Sequence, residues 1–277
     1  MAEGIALAPD YKGIYEALDA TLRKHSKTPS IFDQRMAAFL ECNDGRNVKT
    51  DDDYYWVLVE VAFYSGMDAD KVTQRMPVVE EYLSGCQRVA EYDERMVEKM
   101  LGDDRMLKNQ TKIRASIQNA RAVRDVVSQY GSFRAYLDSF GLRDDDRNIM
   151  RLRNDLVARF KMLGDVTSLH FMMDVGLPVL KPDRVNMRVF ERLGLIQTRS
   201  PTEENLWEAV RQGRVFSKVT GKPIRQIDIM FVSLGQVGGS PELGTTYGIC
   251  LEKSPLCKEC DLSGHCAFFR NPQPGPG

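Results

Sequence analysis

Four cysteines stand near the end of the sequence, Cys250, Cys257, Cys260 and Cys266, in a C-x6-C-x2-C-x5-C run. Four thiolates within one short loop are able to close around a single inorganic centre. Thiolates are soft donors, so the occupants to weigh are zinc and an iron–sulfur cluster. Structural zinc sites usually pair two short C-x2-4-C knuckles, whereas only one C-x2-C is present here. The spacing suits a four-cysteine cubane loop better, with a [4Fe-4S] cluster as the expected cofactor and zinc as the alternative. The competing reading is four unrelated thiols. The concentration of four of the chain's six cysteines in one short segment argues against it.

The elements that must position such a loop read as helices. The chain has 277 residues, 28% charged and 43% hydrophobic, with a net charge of −1. This is ordinary for a globular protein with room for one large or two small domains. No apolar run approaches a membrane span, and the first residues lack the pattern of a secretory signal, so a cytoplasmic protein with reduced thiols is expected. Near-neutral net charge excludes only a uniformly basic surface. Basic residues gather at 105–124 and 181–199, runs that are also what a solvated helix face looks like. Apolar residues recur at helical spacing in residues 10–42, 107–130 and 149–160, and the aromatic-rich run 54–64 reads as a buried helix behind Asp51–Asp53. A break is expected at Ser65-Gly66, then a helix over 69–82 despite Pro77, which is placed at a boundary, an acidic turn at 144–146, and a disordered tail over 271–277. With no strand-and-turn punctuation, the expected class is all-α.

Four stretches resemble helix-hairpin-helix DNA glycosylases. The cysteine spacing resembles the C-terminal iron–sulfur loop of the endonuclease III and adenine-mismatch glycosylase group. Residues 112–121, K-I-R-A-S-I-Q-N-A-R, resemble the K-I-x-A-x-I-x-N-A-R helix of bacterial 3-methyladenine DNA glycosylases of the constitutive type. The run Phe160–Gly176 resembles the hairpin of the same superfamily, with G-D-V at 164–166 where the family commonly has G-V-G. Residues 182–195 resemble its D-x-H-V-x-R-V-x-x-R-L-G-L signature, matching at Asp183, Arg188, Val189, Arg192, Leu193, Gly194 and Leu195. The body therefore resembles one branch and the tail another, since the 3-methyladenine family has no four-cysteine loop.

The resemblance implies a monomeric, two-domain helical protein with double-stranded DNA in a cleft. A discontinuous domain (1–50 plus 171–270) would carry the cluster loop, and a middle domain (51–170) would end in the hairpin. It implies a glycosylase of base excision repair that flips a damaged base and hydrolyses its N-glycosidic bond. Asp183 would be the catalytic carboxylate. Gly164, Val166, Thr167, Ser168, Arg184 and Lys112 would face DNA, the hairpin offering backbone amides to a phosphate. Ser168 stands where bifunctional relatives carry a lysine nucleophile, which implies a monofunctional enzyme. A glutamate reads the base in the 3-methyladenine family. Glu60 is the only acid in the run 54–64, with Trp56, Phe63 and Tyr64 as aromatic candidates; the competing reading is a core glutamate. An alkylated purine is the first substrate, an oxidised or deaminated base the alternative. A silent damage-binding protein on the same scaffold is the rival from outside enzymology.

Overall fold

The computed structural model describes residues 8–142 and 146–270. The positions expected to form an acidic turn (144–145) and a disordered tail (271–277) lie outside them. Among the described residues there is no β-strand, only one isolated bridge between Ser26 and Thr245. The all-α expectation is borne out. No described helix is long and apolar enough to cross a membrane. In chain order the helices are α1 (Tyr11–His25), α2 (Phe32–Asn43), α3 (Asp51–Tyr64), α4 (Ala69–Leu83), α5 (Cys86–Ala90), α6 (Glu94–Gly102) and α7 (Gln110–Tyr130). There follow α8 (Phe133–Asp138), α9 (Asp146–Arg159), α10 (Asp165–Asp174), α11 (Arg184–Leu193), α12 (Glu203–Thr220), α13 (Ile224–Gly235) and α14 (Ala267–Arg270). The chain divides into two units, Gly45–Leu177 and the pair Met1–Asp44 with Pro178–Gly277.

The middle unit begins and ends at one place. A Cβ on Gly45 would lie 2.3 Å from the Gly176 amide, and Gly45 sits at φ +80°, so both space and backbone require glycine there. Its core is built on Phe133, whose ring stacks on Tyr54 at 4.7 Å and meets Phe160 and Phe171 at 5.7 and 5.9 Å. Asp51, Asp52 and Asp53 do not jointly cap α3, as the sequence suggests. Thr50 is the N-cap, and Asp53 closes the box by accepting from the Thr50 amide at 2.7 Å. Asp51 instead accepts from Phe133 N at the start of α8, and Asp52 from Cys86 N at the start of α5, each at 2.7 Å. The helix expected over 69–82 forms as α4, with Pro77 in its interior rather than at a boundary. The proline is exposed, so water can serve the carbonyl that it leaves without an amide partner.

The polar residues of the 112–121 motif are internal clamps. Lys112 is buried, and its Nζ donates to Phe63 O (2.9 Å) and Ser65 O (2.5 Å), placing a cation on the C-terminal carbonyls of α3. Asn119 donates to Lys161 O at 3.0 Å and accepts from Lys161 N at 2.7 Å, holding the approach to the hairpin. Arg121 closes α5 through Ala90 O and Tyr92 O, at 2.9 and 2.7 Å. The surrounding basic run is largely neutralised, with Arg105 on Asp103 and Glu81, Lys108 on Asp104, Arg114 on Glu94 and Arg124 on Glu91.

The discontinuous unit packs around Phe190, Phe216 and Phe231, whose rings lie 5.0–6.1 Å apart, with Tyr11 edge-on to Phe216. Helix α1 reaches the cysteine loop. Thr21 Oγ1 accepts from Asp261 N at 3.0 Å, Lys24 pairs with Asp261 at 2.9 Å, and His25 bridges Tyr247 Oη and Glu259 O.

The clamps give a stability prediction. Asn119→Ala removes two buried hydrogen bonds and is expected to lower the unfolding free energy by about 2–3 kcal/mol. Arg114→Ala removes an exposed ion pair and should change it by less than about 1 kcal/mol. Urea unfolding of both variants measures this, and equal effects would refute the clamp.

Candidate functional site

Asp183 is the N-cap of α11. Its Oδ1 accepts from Val185 N at 2.9 Å and Asn186 N at 3.0 Å, and its Oδ2 lies 3.7 Å from Lys181 Nζ. The sequence supports this locally. Pro182 precedes the cap, and the side chain satisfies amides that a first helical turn leaves open. The carboxylate therefore sits at the N-terminal end of the helix, facing its open amides. One oxygen is committed to the backbone and the other is partly exposed beside a lysine. Behind it stands a buried pair that sequence reading missed. Asn186 is fully buried and donates to Lys181 O and to Asp228 Oδ1, both at 2.8 Å. Asp228, on α13, also pairs with Arg225 at 2.9 Å. The only sequence trace of this pair is two polar residues at apolar-face positions of their helices.

The same helix holds the cysteine loop. Arg188 donates to Cys250 O (3.2 Å), Glu252 (3.1 Å) and Gly235 O (2.6 Å). Arg192 donates to Cys250 Sγ (3.3 Å) and Leu251 O (2.6 Å), and its guanidinium lies over Phe268 at 4.8 Å. Cys250, Cys257, Cys260 and Cys266 line one small cavity with Arg192, Ile249 and Phe268. None of the four is in a disulfide. Burial pushes the Cys260 thiol up to about 12, with the neighbouring cysteines adding to it. Among the described residues, no group of three or more His, Cys, Asp and Glu side chains is arranged to hold a metal ion.

In the middle unit the hairpin is a turn with φ +66° at Met162 rather than at Gly164, which is extended at φ −126°. A Cβ on Gly164 would meet nothing nearer than Thr167 Oγ1 at 3.9 Å. Neither strain nor crowding within the chain demands glycine there, so the bare backbone is open to close approach from outside. Thr167 Oγ1 accepts from Gly164 N at 2.7 Å and donates to Met162 O at 3.0 Å. Ser168 is fully buried, with its hydroxyl on Gly164 O at 2.6 Å and its amide also on Gly164 O at 3.0 Å. Its place among the DNA-facing residues is thus corrected, and so is that of Lys112, whose ammonium is spent on two carbonyls. Asp165 pairs with the nearly buried Arg153, so its charge is countered within the chain.

Glu60 lies on α3 one turn beyond Trp56, which hydrogen-bonds it. Burial, then the carboxylate of Asp174 and more weakly Glu80, raise Glu60 from its ordinary 4.5 to about 7. Asp174, on α10, pairs with His170 Nε2 at 3.1 Å. His170 and Asp174 were not singled out from sequence, although their i,i+4 spacing on one helix was legible. Phe63 is fully buried in the core and does not line an open site. Tyr64 is half-buried with its hydroxyl on Thr73 at 3.0 Å. Trp56 and Glu60 are the members of the expected base pocket that the fold brings together.

Glu60 makes stability depend on pH. Between about 4.5 and 7 the folded protein keeps a proton on Glu60 that the unfolded chain has released, so stability falls as pH rises through that window. Glu60→Gln is expected to stabilise the protein at pH 8 by roughly 1–3 kcal/mol and to be near neutral at pH 4. Thermal unfolding at the two pH values checks this; a variant less stable than the parent at pH 8 would show that the carboxylate is paired, not strained.

The methyladenine glycosylase family model matches residues 30–163, just under half of the chain. That span contains Glu60 and the 112–121 motif; Asp183 and the four cysteines lie beyond it. No curated protein matches. Among solved structures, the 8-oxoguanine DNA glycosylase of Thermotoga maritima is similar at 17% identity and TM-score 0.48, covering 80% of this chain and 96% of that one. The Methanocaldococcus jannaschii 8-oxoguanine glycosylase/lyase, solved with a 15mer DNA containing 8-oxoguanine, stands at 16% and 0.47, covering 80% and 94%. The 3-methyladenine DNA glycosylase I of Staphylococcus aureus stands at 19% and 0.44, covering 51% and 85%. Residues 30–163 are thus similar to the methyladenine glycosylase family, within an all-helical chain.

Proposed function

We propose that this protein is a monofunctional DNA glycosylase of base excision repair, which extrudes a damaged base, an alkylated purine first, and hydrolyses its N-glycosidic bond to leave an abasic site. The observation that carries the reading is the family match over residues 30–163, with Glu60 inside it as a buried carboxyl beside Trp56. A carboxyl near half-ionised at neutral pH suits a cationic or protonated base edge, and the indole offers a face for stacking. As the C1′–N bond breaks, positive charge grows on the sugar. Asp183 would stabilise that charge with the oxygen its helix leaves free and would orient or deprotonate the attacking water. Ser168 offers no nucleophile, being buried with its hydroxyl and amide both on Gly164 O, which supports water as the attacking group. Backbone amides at Val166 and Thr167, at the start of α10, would receive a phosphate, with Asp165 held by Arg153.

The cysteine set would hold a [4Fe-4S] cluster. The fit rests on four soft donors lining one cavity and on the Arg192 guanidinium at Cys250 Sγ, a cation suited to a negatively charged cluster. Four protein ligands leave no open iron position, so its role would be to hold the loop on α11. Zinc is the competing occupant. Iron and sulfide analysis of anaerobically purified protein should find four of each per chain, as the proposed cluster requires; colourless protein with one zinc would refute the cluster and leave the glycosylase reading standing.

The activity test is release of bases from dimethyl-sulfate-methylated DNA, with deaminated and oxidised duplexes alongside. Asp183→Asn keeps a cap acceptor for the α11 amides while removing the charge, so folding should be unchanged and base release should fall by about 100-fold or more. No release from any duplex, with Asp183→Asn indistinguishable in DNA binding, would favour a silent damage-binding protein. An oxidised or deaminated base released in preference would move the substrate and leave the mechanism.

A further inference from the structure

Asp228 is a buried carboxylate that the proposed reaction leaves unused. It is 2% exposed on α13, and its Oδ2 pairs with Arg225 at 2.9 Å. Its Oδ1 accepts from Asn186 Nδ2 at 2.8 Å, and Asn186 is itself fully buried. Both side chains stand on the buried faces of their helices, where an apolar residue would pack. Replacing a buried charged and polar set by apolar residues of similar volume often leaves a protein as stable or more so. Stability is therefore a weak reason for the pair, and its geometry supplies a stronger one.

Asn186 is where two restraints on Asp183 meet. Its backbone amide donates to Asp183 Oδ1 at 3.0 Å. Its side-chain Nδ2 donates to Lys181 O at 2.8 Å, the same carbonyl that takes the Asp183 amide at 2.9 Å. That second bond closes a three-residue turn, Lys181–Asp183, with Pro182 at its centre, where the ring holds φ in the range such a turn uses. One residue thus holds both the side chain of Asp183 and the turn that delivers it to the start of α11.

Asp228 decides which way the Asn186 amide faces. The Nδ2 group has two hydrogens, and both are spent, one on Lys181 O and one on Asp228 Oδ1. Turned over, the amide would set its oxygen against two acceptors. An ionised carboxylate has no hydrogen to offer, so it permits one orientation only. An apolar side chain at 228 would remove that discrimination and leave Asn186 free to turn away from Lys181 O.

We infer that Asn186 and Asp228 are positioning residues for Asp183. The Asp228 carboxylate locks the Asn186 amide, and Asn186 locks the turn and the rotamer that leave Asp183 Oδ2 available. The consequence for catalysis rests on the glycosylase reading. A carboxylate displaced by about 1 Å from the charge that it stabilises loses on the order of 100-fold in rate, with binding of the rest of the substrate untouched.

The test compares Asp228→Leu and Asp228→Asn in the full-length protein. Both lose the Arg225 ion pair, so a difference between them reports the acceptor offered to Asn186. Under single turnover on a methylated duplex, the leucine variant should release bases at least about tenfold more slowly, with affinity for the duplex within about twofold of the parent's. The asparagine variant, whose amide oxygen can still accept from Asn186, should recover the rate to within about threefold of the parent's. Amide hydrogen exchange supplies a readout that needs no activity: in Asp228→Leu the Val185 and Asn186 amides should exchange at least about tenfold faster, and the later turns of α11 should not. Asn186→Ala, which keeps the backbone amide and removes the clamp, carries the same rate and exchange predictions should Asp228→Leu not fold. A rate for the leucine variant within about twofold of the parent's, equal losses in the leucine and asparagine variants, or a loss of rate matched by a loss of DNA affinity overturns the positioning role while the glycosylase reading stands. If the parent releases no base from any DNA, the glycosylase reading fails, and exchange alone decides: unchanged protection at Val185 and Asn186 overturns the lock as well.

Discussion

Every α-helix ends in backbone groups that it cannot satisfy itself, and with no strand among the described residues many of those ends are closed by side chains. This constraint explains most of the buried polar chemistry here. Lys112 closes α3, Arg121 closes α5, and Asp51 and Asp52 start α8 and α5. Asn119 fixes the strand of backbone entering the hairpin. In the other unit, Asp183 opens α11 and Arg188 takes the last carbonyl of α13. Each such group costs energy if left unpaired in the interior, so removing a clamp is worse than never having buried the end.

Asp183 shows what a helix cap leaves available for chemistry. A capping carboxylate is held in one rotamer by two amides and still has a second oxygen to offer. Nothing further is needed to place a fixed negative charge at a defined point. The bland reading of this residue as a plain cap and the catalytic reading are therefore the same geometry, differing only in what meets Oδ2. Arg188 and Arg192 extend the logic along α11: the helix that aims the carboxylate also grips the backbone around Cys250, so the cysteine loop and the carboxylate share one rigid support.

The sequence made the periodic and the local features legible. The all-helical class, the long helix over 110–130 and the cap at Asp183 follow from spacing and residue type within a few positions. It failed where a side chain's partner lies far along the chain. Lys112 reads as a basic residue on an amphipathic helix, and only the folded chain brings Phe63 O, 49 positions away, to its ammonium. The same holds for Asp51 and Asp52, which stand in cap position for α3 and cap two other helices. In α3 itself the error was one of face. Phe63 is three residues from Glu60, close enough in sequence to share its site, yet it turns wholly into the core while Trp56, four residues the other way, stays with the acid.

Glu60 and Asp174 carry the remaining tension. The Glu60 carboxyl is raised by burial first and then by the neighbouring Asp174 carboxylate, with the Trp56 hydrogen bond as a partial offset. A core that needed only packing would have filled this place with an apolar side chain, which would be more stable above neutral pH. An arriving cationic or hydrogen-bond-donating ligand changes that balance, because it offers the charged form of Glu60 the partner that the fold withholds. A carboxyl raised in this way by burial and a second acid is the kind of perturbed group that binding sites carry.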